Sequence, residues 1–460
     1  MMPMYEVIEK LRTIVEEENV LVGDYIPEEY ARDEALTVES CLPEVVVKPG
    51  SAEEVAKILR LANEKRIPVT PRGGGTGLCG GCVAVSGGIL LSLERMNRIL
   101  EIDEENYVAI VEAGVVLADL YKAVEARGFC YPIYPGEESA TIGGNVATNA
   151  GGMKAVKYGV TRHYVLGLEA ILPNGEIIQT GGKYVKVSTG YDLTQLLVGS
   201  EGTLAVVTKV ILKLLPRPKA KITLFAPFKD LNDGIRAVPV ILKSGVIPVT
   251  IEFLEKLGFN AMEDYTGRKV PIRERVRDEA EAFLIIVIEG KNSEEALRDS
   301  EFISDVCMKH GAIDIFIPPT ERAGRELLDL REKAYYAAKD AGATDLVDIV
   351  VPRGEIPNFV EQIHEISAKY ATVIAGAGHA GDGNVHLAIL EQDADKLSMI
   401  LKEIYMVGKN LGGTISAEHG IGSEKRRFLL EMEDKAKIEL MRRIKKAFDS
   451  NNILNPGKIF

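Results

Sequence analysis

Glycine is concentrated in three stretches, and no other feature of the sequence restricts the fold as much. PRGGGTGLCGG spans Pro71–Gly81, SATIGGNVATNAGG spans Ser139–Gly152 and GYDLTQLLVGSEGTLAVVT spans Gly190–Thr208. Consecutive glycines let backbone N–H groups turn inward and approach a phosphate with no Cβ in the way. Two such loops, each following a strand-like run, suit a ligand with two phosphates. Tight turns alone explain one such cluster better than three with Asn and Thr interleaved.

Part of the first cluster misleads. Gly75-Thr-Gly77-Leu-Cys-Gly80 fits GxGxxG after a strand, but the following GCVAVSGG is small, glycine-broken and β-prone. No helix opens there to present its N-terminus to a pyrophosphate, so a Rossmann-type NAD site is rejected. A Walker A loop is absent as well. Cys79 and Cys82 form a lone CxxC, which without a second pair reads as two small side chains packed beside a ligand rather than as a metal or redox site.

The chain has 460 residues, enough for two or three domains, and its 46% hydrophobic and 27% charged content is that of a globular protein. Its net charge of −13 argues against a nucleic-acid footprint. Residues 1–50 hold 12 acids and 4 bases, a balance of −8, whereas residues 421–460 hold 6 acids and 10 bases, a balance of +4. Five cysteines suit a reducing compartment better than a disulfide scaffold. The acidic N-terminus is unlike a signal peptide, and the apolar run Ala282–Ile288 falls far short of the roughly 20 residues that span a bilayer. The expected location is cytoplasmic, or peripheral on the inner face of a membrane.

Periodicity predicts a helix in the first 18 residues and a β/α pattern from Glu44. VVVKP is a strand, and the helix after it has Ser51 as N-cap with Glu54 completing a capping box. Short strands and turns follow, with Asn174-Gly175 as a hairpin turn. Beyond the prolines at 216 and 218, ITLFAPF, TIEFLE, AFLIIVIEG, AIDIFIP and LVDIVVP read as strands among helices, the texture of an α+β layer.

The three loops resemble those of the FAD flavoproteins of the vanillyl-alcohol oxidase type, in their D-lactate dehydrogenase and glycolate oxidase branch. The resemblance runs from about Val45 to Phe460. It implies an α+β fold: a two-lobed FAD-binding domain over 44–217 after an N-terminal helical lead-in over 1–43. A substrate or cap domain with an antiparallel sheet and the metal site follows over 218–420, and a C-terminal helical segment, 421–460, returns to the FAD domain. In that family FAD would be held by Pro71, Arg72, Gly73, Gly74, Gly75, Thr76 and Gly77, then by Gly136, Ser139, Gly143, Gly144, Asn145, Thr148 and Gly152. Glu201, Gly202 and Val207 would lie by its adenine and flavin regions. No residue matches the histidine that some relatives attach to FAD, so the cofactor is expected to be non-covalent.

Only six histidines are present, and three fall in two short motifs, Gly378-His379-Ala-Gly-Asp-Gly-Asn384-Val-His386 and Ser416-Ala-Glu418-His419-Gly420. Gly-Asp-Gly-Asn is a turn signal, which puts His379 and His386 on opposite arms where their rings can converge. Glu418 would complete a two-histidine, one-carboxylate set with open positions, suited to zinc, manganese or iron(II). Ordinary turn and core histidines are the competing reading. His163, His310 and His364 have no such setting and receive no role.

The same family resemblance assigns His379, His386 and Glu418 to a divalent metal, zinc first. It makes His419 the active-site base, Asn384 a substrate contact and Arg331 the clamp on the substrate carboxylate. From the residues alone, Arg331 is equally a solvated helix arginine pairing with Glu332 or Asp329. The chemistry implied is oxidation of a 2-hydroxy acid: the metal lowers the hydroxyl pKa, His419 takes the proton and flavin takes the hydride. Relatives acting on D-2-hydroxyglutarate carry a lysine before the Asp348–Pro352 strand, where this chain reads Asp-Leu-Val. That favours a monocarboxylate, D-lactate or glycolate, with electrons leaving to a quinone, cytochrome, flavoprotein or iron–sulfur protein. A glycolate or D-2-hydroxyglutarate dehydrogenase, as a flavoprotein subunit of an iron–sulfur complex or alone, is the alternative, and a non-redox alkyl-dihydroxyacetonephosphate synthase-type transferase is a more remote one. The basic tail would offset cofactor charge, pair with the acidic N-terminal region or face an electron acceptor.

Overall fold

A computed structural model describes Met4–Phe460. Its residues divide into two units, one made of 1–150, 160–217 and 418–460, the other of 151–159 and 218–417.

In the first unit, β1 (Val20–Val22) and β2 (Val45–Val47) pair antiparallel, and β3 (Val69–Arg72) and β4 (Ile89–Ser92) extend the sheet in the order β1-β2-β4-β3. β2 and β3 both run parallel to β4, which requires a crossover, and helix Ala52–Lys65 supplies it. β2 is buried along its whole length, as expected of a strand covered on both faces. Ser51 Oγ accepts from the Glu54 N–H at 3.2 Å, as the sequence predicts. The Glu54 carboxylate, however, accepts from Gly50 N rather than from Ser51 N, so the box closes one residue early. Residues 1–43 are not helical throughout: after helix Met4–Val15 the chain forms short 3-10 turns and contributes β1 to the sheet.

The chain then runs through β5 (Ile99–Asp103), β6 (Val108–Glu112), the short β7 (Phe129–Cys130), β8 (Val165–Ile171), β9 (Ile177–Gly181), β10 (Val206–Lys213) and the short β11 (Leu215–Pro216). Five of these form an antiparallel sheet, β5-β6-β10-β8-β9, and β7 pairs with β11. The β8–β9 connection turns at Asn174-Gly175, where Gly175 takes the positive φ of +81° that such a turn needs. The register of β10 on β8 slips between Val207 and Lys209, a bulge beside one of the expected cofactor residues.

The tail belongs to this unit too. Asn455 N donates to Val69 O, Val69 N donates to Ile453 O, and the Asn455 amide reaches Gly81 O and Glu201 O. Three of its lysines, Lys425, Lys445 and Lys458, are buried. Lys445 is held by Asp449, Thr203 O and Leu454 O, and Lys458 by Val83 O with Asp33 of the acidic N-terminal region close by.

The second unit is organised on one antiparallel sheet of β12 (Ala220–Phe228), β13 (Thr250–Glu255), β14 (Ala282–Gly290), β15 (Asp345–Val350), β16 (Val373–His379) and β17 (Asn384–Leu390), in the order β12-β14-β13-β16-β17-β15. Side chains alternate between its faces. Phe225, Leu254, Phe283 and Ile285 pack on one face with Phe259, Leu327, Leu330 and Ala337 of the covering helices, and the Phe225, Phe259 and Phe283 rings stack against one another. AIDIFIP, expected as a strand, forms only two isolated bridges to β12, at Phe225–Phe316 and Phe228–Ala312. Pro227 lies between those bridges and has no N–H to continue the ladder.

No helix among the described residues is long and apolar enough to cross a membrane.

Candidate functional site

In the first unit the three glycine clusters meet. A Cβ on Gly73 would lie 2.2 Å from Thr141 Oγ1, and one on Gly74 would lie 3.0 Å from Ser139 O. A Cβ on Gly202 would lie 3.1 Å from Pro71 Cγ. The second cluster is held against its own sheet, since Gly143 N donates to Ala113 O and a Cβ there would strike Ala113. Helix Ile142–Thr148 then begins with Thr141 Oγ1 accepting from Gly144 N, and Thr148 Oγ1 bonds back to Gly144 O. Gly199 N and Glu201 N, from the third cluster, donate to Val146 O and Ala147 O. Beside this junction the buried Asn145 Nδ2 has no hydrogen-bond partner among the described residues. A buried, unmatched donor in a cradle lined by backbone is a fit for a polar cofactor.

Other expected cofactor residues differ in what their side chains do. Arg72 turns its guanidinium to Arg32 O, Glu29 O and Cys82 Sγ, and a Cβ on Gly75 would fall 2.1 Å from its Nη2, so the loop is wrapped around this arginine. The Glu201 carboxylate accepts from Ile421 N and Gly422 N, each at 2.7 Å, and burial raises its pKa against those two bonds. It therefore fastens the chain just after the EHG motif. Gly136 takes a φ of +83°, Ser139 bonds Glu137, and Val207 sits half-buried at the β10 bulge. Gly77 lies within 3.3 Å of Asp33 by its would-be Cβ, and Thr76 is half-buried beside it. Gly152 falls in the 151–159 segment, on the second unit. Neither Cys79 nor Cys82 is in a disulfide; Cys79 Sγ contacts Gly420 O at 3.3 Å, and burial pushes the Cys82 thiol up to about 11.

In the second unit the GDGN turn does what its sequence suggests. β16 and β17 are its two arms, and the registers Glu252–His379–Asn384 and Ala377–His386–Asp348 put all five polar residues on one face of the sheet. His379 Nε2 and His386 Nε2 stand 3.2 Å apart, with their rings edge to face. Two nitrogens bound to one tetrahedral zinc at the usual bond length would lie roughly 3.3 Å apart, so the pair fits such an ion.

Each histidine has a buried carboxylate beside it. His379 Nδ1 meets Glu252 Oε1 at 2.6 Å, and His386 Nδ1 lies 3.9 Å from Asp348 Oδ1. Asp348 also accepts from Ser416 Oγ and Ala417 N, which fixes the chain immediately before Glu418 and His419. Within that dipeptide His419 Nε2 and Glu418 Oε1 are 3.9 Å apart. The Asn384 amide spends both N–H groups on Asp348 Oδ1 and Ile349 O, leaving its oxygen as the group able to meet a substrate.

Arg331 is 7% exposed rather than solvated, and its partner is neither Glu332 nor Asp329. Its Nη2 pairs with Glu252 Oε2 at 3.0 Å, and its Nε is buried with no hydrogen-bond partner among the described residues. Glu252 is the residue that sequence reasoning missed: it sits in TIEFLE, 127 positions before His379. Of the unassigned histidines, His364 pairs with Glu255 at 2.6 Å, which raises its pKa, and His163 Nδ1 accepts from Val160 N.

The glycine-lined loops of the first unit suit a phosphate-bearing cofactor such as a flavin nucleotide, and the second unit carries a polar sheet face. The chain belongs to the FAD-linked oxidases: residues 43–181 match the family model for the FAD binding domain, and residues 217–459 match that for the C-terminal domain of FAD linked oxidases. It is 47% identical over 457 residues to an uncharacterised FAD-linked oxidoreductase of Mycobacterium tuberculosis, covering 99% of both chains. It is 41% identical to the D-lactate dehydrogenase of Anaerostipes hadrus, covering 99% of this chain and 97% of that one. Among solved structures, p-cresol methylhydroxylase with substrate bound superposes with a TM-score of 0.82 over 99% of this chain and 96% of its own, at 19% identity. The fold is therefore that of the vanillyl-alcohol oxidase type, and the protein is an FAD-linked oxidoreductase.

Proposed function

We propose that the protein oxidises a D-2-hydroxy acid, D-lactate first, with a divalent metal held by His379, His386 and Glu418, and passes electrons to an acceptor other than NAD. The observation that carries this reading is the 3.2 Å approach of two imidazole Nε2 atoms on a sheet face backed by buried carboxylates. When bound, non-covalent FAD supplies a hydride acceptor and the metal supplies Lewis acidity toward the hydroxyl oxygen.

The protein's own residues do the rest. Arg331, with an unmatched buried Nε, binds the substrate carboxylate. Asn384 Oδ1 orients the substrate, and His419 takes the hydroxyl proton. Gly420 and Gly422, both at positive φ, let Glu418 and His419 serve different ligands. No basic residue stands in Asp345-Leu-Val at the start of β15, which supports a monocarboxylate over a dicarboxylate. Among monocarboxylates, glycolate is the alternative to D-lactate.

Anaerobic mixing of the metal-supplied protein with D-lactate, L-lactate, glycolate and D-2-hydroxyglutarate tests the reading through the visible absorbance of the flavin. Bleaching by D-lactate in preference to L-lactate is expected. Bleaching by none of the four rejects the reading, and would turn attention to a non-redox transferase on the same fold.

A further inference from the structure

Glu252 is wholly buried within its strand, between Ile251 and Phe253, and a carboxylate in such a place needs strong partners. It has two. Oε1 meets His379 Nδ1 at 2.6 Å and Oε2 faces Arg331 Nη2 at 3.0 Å, the latter a charge contact rather than an aligned hydrogen bond. Both partners are themselves nearly buried, so little water screens either contact. One carboxylate thus joins the histidine expected to hold a metal to the arginine expected to hold the substrate.

The chemistry of a neutral imidazole decides what this arrangement does. An ionised carboxylate can only accept, so Nδ1 of His379 carries the hydrogen, and Nε2 keeps its lone pair. That lone pair lies on the side of His386 Nε2, where an ion would sit. We propose that Glu252 is a positioning residue: it fixes His379 in the Nδ1–H tautomer, with Nε2 as metal ligand, and holds Arg331 at the same site. The inference rests on the metal reading given above for the consequence, but the tautomer itself does not depend on a metal.

Two measurements on the full-length, FAD-loaded protein test it. The first is nitrogen NMR of protein labelled at its six histidines, with His379 assigned by His379→Asn. In metal-free wild-type protein His379 is expected as the Nδ1–H form, and Glu252→Leu is expected to lose that form. The second is zinc affinity by competition with a chelator, where Glu252→Leu should weaken binding by about 10–100-fold, the usual consequence of removing a carboxylate behind a ligating histidine. Glu252→Gln keeps the shape and an acceptor oxygen, so it should retain the tautomer and lose less affinity. It also serves as the test variant if the leucine variant does not fold. An Nε2–H tautomer in wild-type protein overturns the inference, as does unchanged zinc affinity in a folded Glu252→Leu variant. Wild-type protein that binds no divalent metal would instead overturn the metal reading, and the tautomer measurement would still decide the role of Glu252.

Discussion

The glycine cradle of the first unit and the histidine face of the second reach their geometry by opposite routes. In the cradle, loops come close because side chains are left out: Gly73, Gly74 and Gly143 each stand where a Cβ would meet a neighbour. On the sheet face, close approach is made by side chains that need one another, as with Glu252 between His379 and Arg331. A site made of backbone is sensitive to added volume. A site made of paired charges is sensitive to the loss of any one member.

The largest effect should come from breaking the side-chain site. His386→Ala is expected to lose bound metal and to slow flavin reduction by D-lactate on the order of a thousandfold, while flavin absorbance stays intact. Metal analysis and stopped-flow reduction check this, and full metal content would refute the assignment.

The cradle unit carries a charge of its own that sharpens the contrast. Burial pushes the Asp33 carboxyl up from 3.8 to about 6, against the pull of the Ala35 N–H, Lys458 and Arg72. A folded-state pKa above the unfolded value gives stability that is complete below about pH 4 and is lost as pH rises through 6. The loss amounts to about 3 kcal/mol. Urea midpoints across that window should fall for wild-type protein and stay flatter for Asp33→Asn, with a residual slope from Glu201, which burial also raises.

Adding volume to the cradle is next. Gly73→Ala should cost roughly 1–3 kcal/mol and lower FAD retention, because the new methyl meets Thr141 Oγ1. Thr141→Ala in the same chain removes that oxygen, so the double variant should recover part of the loss. Purely additive effects would show that the two loops do not press on each other. Ser51→Ala is the smallest, about 1 kcal/mol from a lost N-cap, and should leave flavin content untouched.

The sequence announces some of this better than the rest. Strand β2, the crossover helix, the β8–β9 hairpin and the convergence of His379 with His386 all rest on signals within a few residues of one another. The role of Glu252 is not local. It depends on β13 lying beside β16, a pairing of residues 127 apart, and in TIEFLE the glutamate reads as the outward residue of an ordinary alternating strand. Arg331 suffers likewise: its helix offers acidic neighbours at 329 and 332, and only the sheet pairing supplies a buried partner. AIDIFIP has a strand's composition, yet the missing N–H of Pro227 lies on the strand it would join. Even the basic tail, a plain charge excess in the sequence, turns out to bury three of its lysines.

That tail has a consequence for how the protein is made. Strand β3, which leads into the first glycine cluster, is bracketed by Ile453 and Asn455, and Asn455 also bonds Gly81 O and Glu201 O. On the ribosome, residues 69–202 emerge long before these partners exist, and residues 218–417 of the second unit are synthesised in between. The cradle is therefore closed by residues translated only after 218–417. A chain cut before Ile453 would keep every glycine of the cradle and still lack these contacts, so a complete cradle waits until residues 453–455 have emerged.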